Sequence, residues 1–332
     1  MSSQIIDRLR VARDRGTAFI LSQQQEDGAY NDPASNGIGP LYKTLWALVA
    51  TGESEAASRL ATWTADNLLT PGGDFAGPMR GHEFDHNYIY GNAWFVIGAQ
   101  KLGRYDISRP GIEFIRSMQQ ANGGLSMDLG NPNSQQDVLN TAQGGQAFLA
   151  CGDLESALRV ADWLRVVHES QPDFEHELFF VVQPQTGLIT QIPEGEKQRN
   201  YSIRVDIPKA RYFNIGIGPA FLSRLTMLTG DMQYAELGRK YIDFAFRTLD
   251  EMYETAQVGK VGWGSALLFA VTGEPAMYEL ASRVGEALIA QQTDTGGWDN
   301  TAGYLGDAVR TQITAEFVTI IDEMIAGMSS RP

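Results

Sequence analysis

Polar and apolar positions along the chain keep a helical beat. Apolar residues recur three and four positions apart over long stretches, and each stretch ends at one of two kinds of punctuation. The first is a tight corner: VATGES (49–54), KLGRYD (101–106), LACGDL (149–154), MLTGDM (227–232) and AVTGEP (270–275). Gly there supplies a helix C-cap, and the Asp, Glu or Ser beyond it opens the next helix. The second is a longer loop, rich in Gly and often aromatic: QEDGAYND (25–32), TPGGDFAG (70–77), ANGGLSMD (121–128) and DTGGWDN (294–300). Short corners at one end and long loops at the other predict helices running up and down in roughly six pairs, about twelve helices in all. The first is expected near 5–24 and the last near 309–327.

Helices that follow the long loops are rich in small residues, as in NTAQGGQAFLACG (140–152), NIGIGPAFLSRL (214–225) and GWGSALLFAVTG (262–273). Small side chains let helices approach closely at a crowded centre despite their propensity cost. The alternate helices, such as SEAASRLATWTADNLL (54–69), are half polar, as an outer layer requires. The pattern predicts an all-α fold, an (α/α)6 toroid forming a single domain over 1–332; an open helical solenoid is the alternative. Residues 173–213 break the beat. Alternating β-branched and polar residues around PEGEKQ (193–198) predict a β-hairpin at the mouth, as a lid or wall or as decoration.

Composition changes this picture little. With 332 residues, 43% of them hydrophobic and 20% charged, a large core is expected. A net charge of -14 argues against nucleic-acid and anionic-membrane partners. The single cysteine, Cys151, allows neither an internal disulfide nor a thiolate cluster. The N-terminus lacks a signal-peptide core, and a cytoplasmic protein is expected.

Three stretches carry a family likeness. Arg15, Gly16, Phe19, Ile20, Gln24, Gly28 and Tyr30 form one; Gly111, Phe114, Ile115, Gln119, Gly123 and Leu125 a second; Arg283, Leu288, Gln292, Gly296 and Trp298 a third. This spacing resembles the repeat of squalene and oxidosqualene cyclases. The resemblance implies a toroid of the terpenoid cyclase and protein prenyltransferase type, a fold also used by sugar epimerases and hydrolases. In the repeat, Gln can tie a helix end to its loop while the ring stacks on it. The Asp-x-Asp-Asp acid motif of the cyclases is absent from the sequence, and Cys151 lies in a short corner, at the wrong end for the prenyltransferase zinc site.

In such a toroid the long loops and the first turns of the inner helices converge on one mouth. The residues expected there are Tyr42, Lys43 and Trp46; Asp85, His86, Tyr88, Tyr90, Asn92 and Trp94; Asp137, Asn140 and Gln143; Arg211, Tyr212 and Asn214; Lys260 and Trp263; and Arg310 and Gln312. The loops add Asp27, Tyr30, Asp74, Phe75, Trp298 and Asp299. An aromatic lining with scattered polar groups suits a small molecule, although any one ring at helical spacing is more often core than ligand wall.

His82, Glu83 and His86 spell the His-Glu-x-x-His string of zinc peptidases. That chemistry needs both imidazoles one turn apart on a regular helix. Here the string falls at a loop-to-helix junction after Gly81, and no metal or other cofactor is expected. Asp85 beside His86 reads better as an acid–base pair, with helix capping as the structural explanation. The expected catalytic set is Asp85, His86 and Tyr90. The substrate wall is expected from Tyr30, Tyr42, Trp46, Phe75, Tyr88, Trp94, Asn140, Tyr212, Trp263, Trp298 and Arg310.

The leading expectation is a cofactor-independent cyclase or isomerase that closes rings in an apolar terpenoid or polyene, in natural-product biosynthesis, by acid–base or pericyclic chemistry. A carbohydrate-active hydrolase, lyase or epimerase using residues such as Asp85 and Asp137 is the rival, and a non-catalytic binding toroid a third reading.

Overall fold

The computed structural model describes residues 2–31, 37–75, 87–128, 131, 133–299 and 307–331. Six inner helices run from the long loops toward the short corners. They are α2 (Gly39–Tyr42) with α3 (Thr44–Ala50), one helix broken at Lys43; α5 (Tyr88–Leu102); α7 (Val138–Ala150); α9 (Phe213–Thr229); α11 (Gly259–Thr272); and α13 (Asp307–Ser329). Six outer helices run back: α1 (Ser2–Gln23), α4 (Ser54–Asn67), α6 (Tyr105–Ser117), α8 (Leu154–Glu169), α10 (Met232–Asp243) and α12 (Pro275–Gln291).

Each inner helix packs on the next, and α13 packs back on α2 and α3, so the ring closes. The solenoid alternative is thereby removed, and the (α/α)6 toroid stands. The last outer partner comes from the far end of the chain: α1 lies on α13. The two layers differ as their sequences require. In α5 every residue from Tyr88 to Ala99 is buried, whereas α6 buries only one face.

Small residues set the closest approach. A Cβ on Gly216 of α9 would stand 1.9 Å from the Lys260 carbonyl oxygen of α11, so these two inner helices touch backbone to backbone. The short corners place Gly103, Gly230 and Gly273 in the left-handed region as C-caps. Asp153 and Asp231 then cap the following helices through backbone N–H groups of Ser156 and Gln233.

The repeat is a latch, used three times. The side-chain amides of Gln24, Gln119 and Gln292 each donate twice. One bond goes to the loop carbonyl of Gly28, Gly123 or Gly296, and the other to Ala56, Ser156 or Ala12 of a neighbouring outer helix. At Gly123, φ is +93° and a Cβ would meet the Arg159 carbonyl oxygen at 2.2 Å, so no other residue fits without displacement.

The insertion is more than one hairpin. β3 (Val181–Gln183) turns into β4 (Gly187–Leu188) and also pairs with β1 (Gln136–Asp137), the lead-in to α7. β2 (Glu177–Phe179) pairs with β5 (Ser202–Arg204). The expected PEGEKQ turn lies instead in the connection between β4 and β5; the tight turn is at 184–186, where Thr186 N–H bonds the Gln183 carbonyl. Pro193 has no N–H to give a ladder, which fits its place outside the strands. Pairing with β1 fixes the insertion at the long-loop end.

Candidate functional site

Three layers of side chains cross the axis of the toroid. Nearest the mouth, a cavity of about 230 Å³ is lined by Tyr42, Lys43, Asn87, Tyr90, Leu139, Phe213, Gln257, Lys260, Gln312, Ile313, Glu316 and Phe317. One helical turn deeper, Trp46, Trp94 and Trp263 meet, with ring centroids 4.9, 5.9 and 6.3 Å apart. Beyond them a second cavity of about 530 Å³ opens between Trp46, Lys101, Gln146 and Arg224. The order follows from helical spacing: Lys43 precedes Trp46, Tyr90 precedes Trp94 and Lys260 precedes Trp263 by three or four positions, so each inner helix shows a polar group and then an indole on one face. A larger cavity, about 740 Å³, lies beside Ile6, Tyr278 and Arg331 on the outer side, away from the axis and its charged groups.

The charged centre of the mouth chamber is Glu316. Its two carboxylate oxygens accept from the ammonium groups of Lys43 and Lys260. Lys43 is 4% exposed and Lys260 5%. Burial alone would raise the Glu316 pKa, but the charges and hydrogen bonds of the two lysines override it and hold the acid well below the usual carboxylate range. Lys260 is pushed down to about 8 by burial, with Lys43 adding repulsion and Glu316 offsetting part of the shift. Aromatic faces surround the ammonium groups: Lys43 Nζ is 5.2 and 5.5 Å from the Tyr42 and Tyr90 centroids, and Lys260 Nζ is 5.3 and 5.5 Å from Tyr90 and Phe213. The Tyr90 hydroxyl stands 3.5 Å from Glu316, and burial, reinforced by that carboxylate, keeps the phenol protonated far above its ordinary range. Gln312 donates to the Tyr42 hydroxyl at 2.7 Å.

Of the expected site residues, Tyr42 and Tyr90 are brought together here, with rings 5.9 Å apart, and Lys43, Lys260 and Gln312 join them. Asp85 and His86, with His82 and Glu83, lie outside the described residues. The remaining expected wall residues have other work. Trp46, Trp94 and Trp263 form the floor plug. Asn140 is fully buried and accepts from Tyr90 N–H at 3.0 Å while Asp137 caps α7, so these polar groups join two helix starts. Tyr88 bonds Asp74 and packs edge-on to Phe114. Tyr212 donates to Glu251 at 2.9 Å. Arg310 pairs with Asp299 at 2.5 Å.

Tyr30, Phe75 and Trp298, expected on the substrate wall, are fully buried between the two helical layers. Phe75 packs on Phe95, and the Trp298 indole N–H donates to the Leu288 carbonyl at 2.7 Å. A ring that must fill the gap between layers cannot also face the chamber. Glu316 was missed because only the first turns of the inner helices were read as mouth. It lies one turn beyond Gln312, and its signal is a carboxylate set in the otherwise uncharged stretch TQITAEFVTII (311–321).

Among the described residues, no three His, Cys, Asp or Glu side chains gather as a metal cage, and no helix is long and apolar enough to cross a membrane. The thiol of Cys151 is half-buried in its corner, and burial raises its pKa to about 11.

Helices in six closed pairs around a charged axial chamber place the chain among the (α/α)6 toroids. No family model matches it, and no curated protein sequence does. Solved structures do. The type II terpene cyclase MstE from Scytonema, in complex with geranylgeranyl dihydroxybenzoate, matches over 100% of both chains, with a TM-score of 0.60 and 13% identity. A D-mannose isomerase matches over 94% of this chain and 96% of that one (TM-score 0.65, 12% identity). A family 76 α-mannanase of Bacteroides thetaiotaomicron matches over 95% of each (TM-score 0.63, 11% identity). At these identities the likeness is one of fold, and the neighbours named are enzymes of different chemistry.

Proposed function

We propose that the chain is an enzyme, a cofactor-independent cyclase or isomerase that closes rings in an apolar small molecule. The observation that carries this reading is the division of the mouth chamber. Its walls are aromatic and aliphatic (Tyr42, Tyr90, Leu139, Phe213, Ile313, Phe317), and its charge is confined to one cluster, Lys43–Glu316–Lys260. Such walls exclude water and hold a flexible chain in a reactive fold, which can supply much of a ring-forming barrier. A sugar site would instead spread paired polar groups over the lining.

Within this reading Lys260, whose proton is exchangeable near neutral pH, moves a proton at a carbonyl or enol of the substrate. The neutral Tyr90 hydroxyl is a hydrogen-bond donor beside it. Two ammonium groups disfavour a free carbocation at the floor, so closure by acid–base or pericyclic chemistry fits better than alkene protonation there. Asp85 and His86 keep their proposed catalytic place just before α5. The terpene cyclase on this fold agrees with the reading. The amides of Asn87, Gln257 and Gln312 in the lining favour the carbohydrate alternative, which the isomerase and mannanase neighbours also use.

The test is turnover, followed by mass spectrometry and chromatography, on acyclic polyenes bearing a carbonyl group, beside mannose and α-1,6-linked mannobiose. An isobaric product from a polyene, lost at least about a hundredfold in Lys260→Met, is expected. Isomerised mannose or cleaved mannobiose, with the polyenes untouched, would overturn the reading.

A further inference from the structure

Among the described residues, the charge cluster of the mouth chamber does not balance. Two buried ammonium groups share one carboxylate, which leaves one positive charge in excess. Among the described residues, the other charged groups nearby do not supply the missing negative. Arg310 is paired with Asp299, and Glu251 is engaged by Tyr212 and by the backbone N–H of Lys209. Asp137 accepts from Asn140 at the start of α7. From each element packed around Lys260, the groups facing it are Glu316 on α13, Tyr42 and Lys43 at the α2–α3 break, Tyr90 on α5 and Phe213 on α9. The backbone adds to the imbalance, because all six inner helices start at this end and direct the positive ends of their dipoles toward it.

A buried cation without its counter-charge is expensive, and it persists where something else supplies the charge. We infer that the substrate of this chamber carries a single negative charge, a carboxylate or the enolate of an acidic 1,3-dicarbonyl, and that this oxyanion docks on the ammonium groups of Lys43 and Lys260 beside Glu316. The inference deepens the reading above and rests on it for the apolar remainder of the substrate. Among the described residues one positive charge is in excess, which a monoanion neutralises, whereas a phosphate dianion or a diphosphate would overcompensate it. The side-chain type agrees, since lysine offers a point charge where arginine would offer a fork.

The lysines are adapted to an anion in a second way. Each ammonium group has three N–H donors, and Glu316 occupies one on each. An oxyanion placed between them satisfies further donors with charge-assisted bonds while its apolar chain lies against Phe213, Ile313 and Phe317.

The experiment is calorimetric titration of the purified protein with four probes: geranate, geraniol, glucuronate and glucose. They cross an apolar or a polar skeleton with a carboxylate or a neutral group. At pH 7, geranate is expected to bind about thirtyfold tighter than geraniol, the range of one or two hydrogen bonds to charged groups. The preference is expected to shrink as pH rises through about 8, where Lys260 loses its proton, and to fall below about threefold in Lys260→Met and in Lys43→Met, each checked for fold by circular dichroism. Geraniol binding as tightly as geranate, or no binding of either carboxylate, overturns the inference. The skeleton decides the other question: glucuronate bound tighter than glucose, with neither terpenoid bound, keeps the anion site and sinks the apolar substrate.

Discussion

The two ends of the toroid axis carry nearly the same chemistry and use it differently. At the mouth stand Lys43, Lys260 and Glu316; at the short-corner end, Lys101, Arg224 and Glu323. Both sets contain two cations and one glutamate, and each lies against the tryptophan floor or the aromatic layer above it, as Lys101 and Arg224 do over Trp46. The surroundings separate them. Inner helices end at the short corners, so the cations there face carbonyl ends, where positive charge is favoured; Lys101 is in the last turn of α5. Lys101 is exposed, and the Arg224 side chain in its 2.5 Å pair with Glu323 is 24% exposed. At the mouth the cations are almost dry and face helix starts. A set of charges that helix electrostatics and water explain is structural. A set that both oppose needs another reason, and the substrate supplies one.

The comparison can be broken most directly through its two glutamates. Glu316→Gln leaves two buried ammonium groups without a counter-charge and is expected to cost about 3–5 kcal/mol, read by chemical denaturation. Glu323→Gln frees Arg224, whose side chain is 24% exposed and lies at the carbonyl ends of the inner helices, and a smaller loss, about 1–2 kcal/mol, is expected. Equal losses would erase the distinction between the ends.

A smaller effect sharpens it through pH. Lys260 releases its proton near 8 in the folded chain and near its ordinary value of 10.5 when unfolded. Between those values the unfolded chain binds more protons, so stability rises with pH. The penalty for charged Lys260 is full below 8 and relieved above it. Lys260→Met, which leaves one lysine to one glutamate, is therefore expected to melt higher than the parent at pH 7, by roughly 1–3 kcal/mol, and the gap should close toward pH 10. A constant gap would mean that Lys260 is not the titrating group. The smallest effect is expected from Lys101→Met, less than about 1 kcal/mol, with turnover unchanged; a loss of turnover would make the short-corner end part of the site.

Much of the ring was legible because its cause is local. A corner such as LACGDL needs a left-handed Gly and a capping Asp, and the latch glutamines stand at a fixed spacing from their loop glycines. Tyr30, Phe75 and Trp298 were misplaced because a loop aromatic has two apolar destinations, the chamber and the gap between layers, and helical spacing does not choose between them. Asn140 and Tyr212 read as ligand groups, yet their polar atoms tie helix starts and a neighbouring loop. Glu316 was hidden for a different reason. Its meaning depends on Lys43 and Lys260, 273 and 56 positions away, and a charge balance is visible only when the ring is closed.

The closure of the ring by the chain's two ends also governs the order in which the molecule can be completed. The first helix has its partner in the last, and Arg13 of α1 reaches Asp322 of α13 at 2.7 Å. Contacts so distant in sequence form late and slowly. Of the ring's helices α1 is made first, and its main partner, α13, is made last. The same final helix brings Glu316. The segment that seals the ring is thus also the one that sets a carboxylate between Lys43 and Lys260, and closure and charge compensation depend on the same helix.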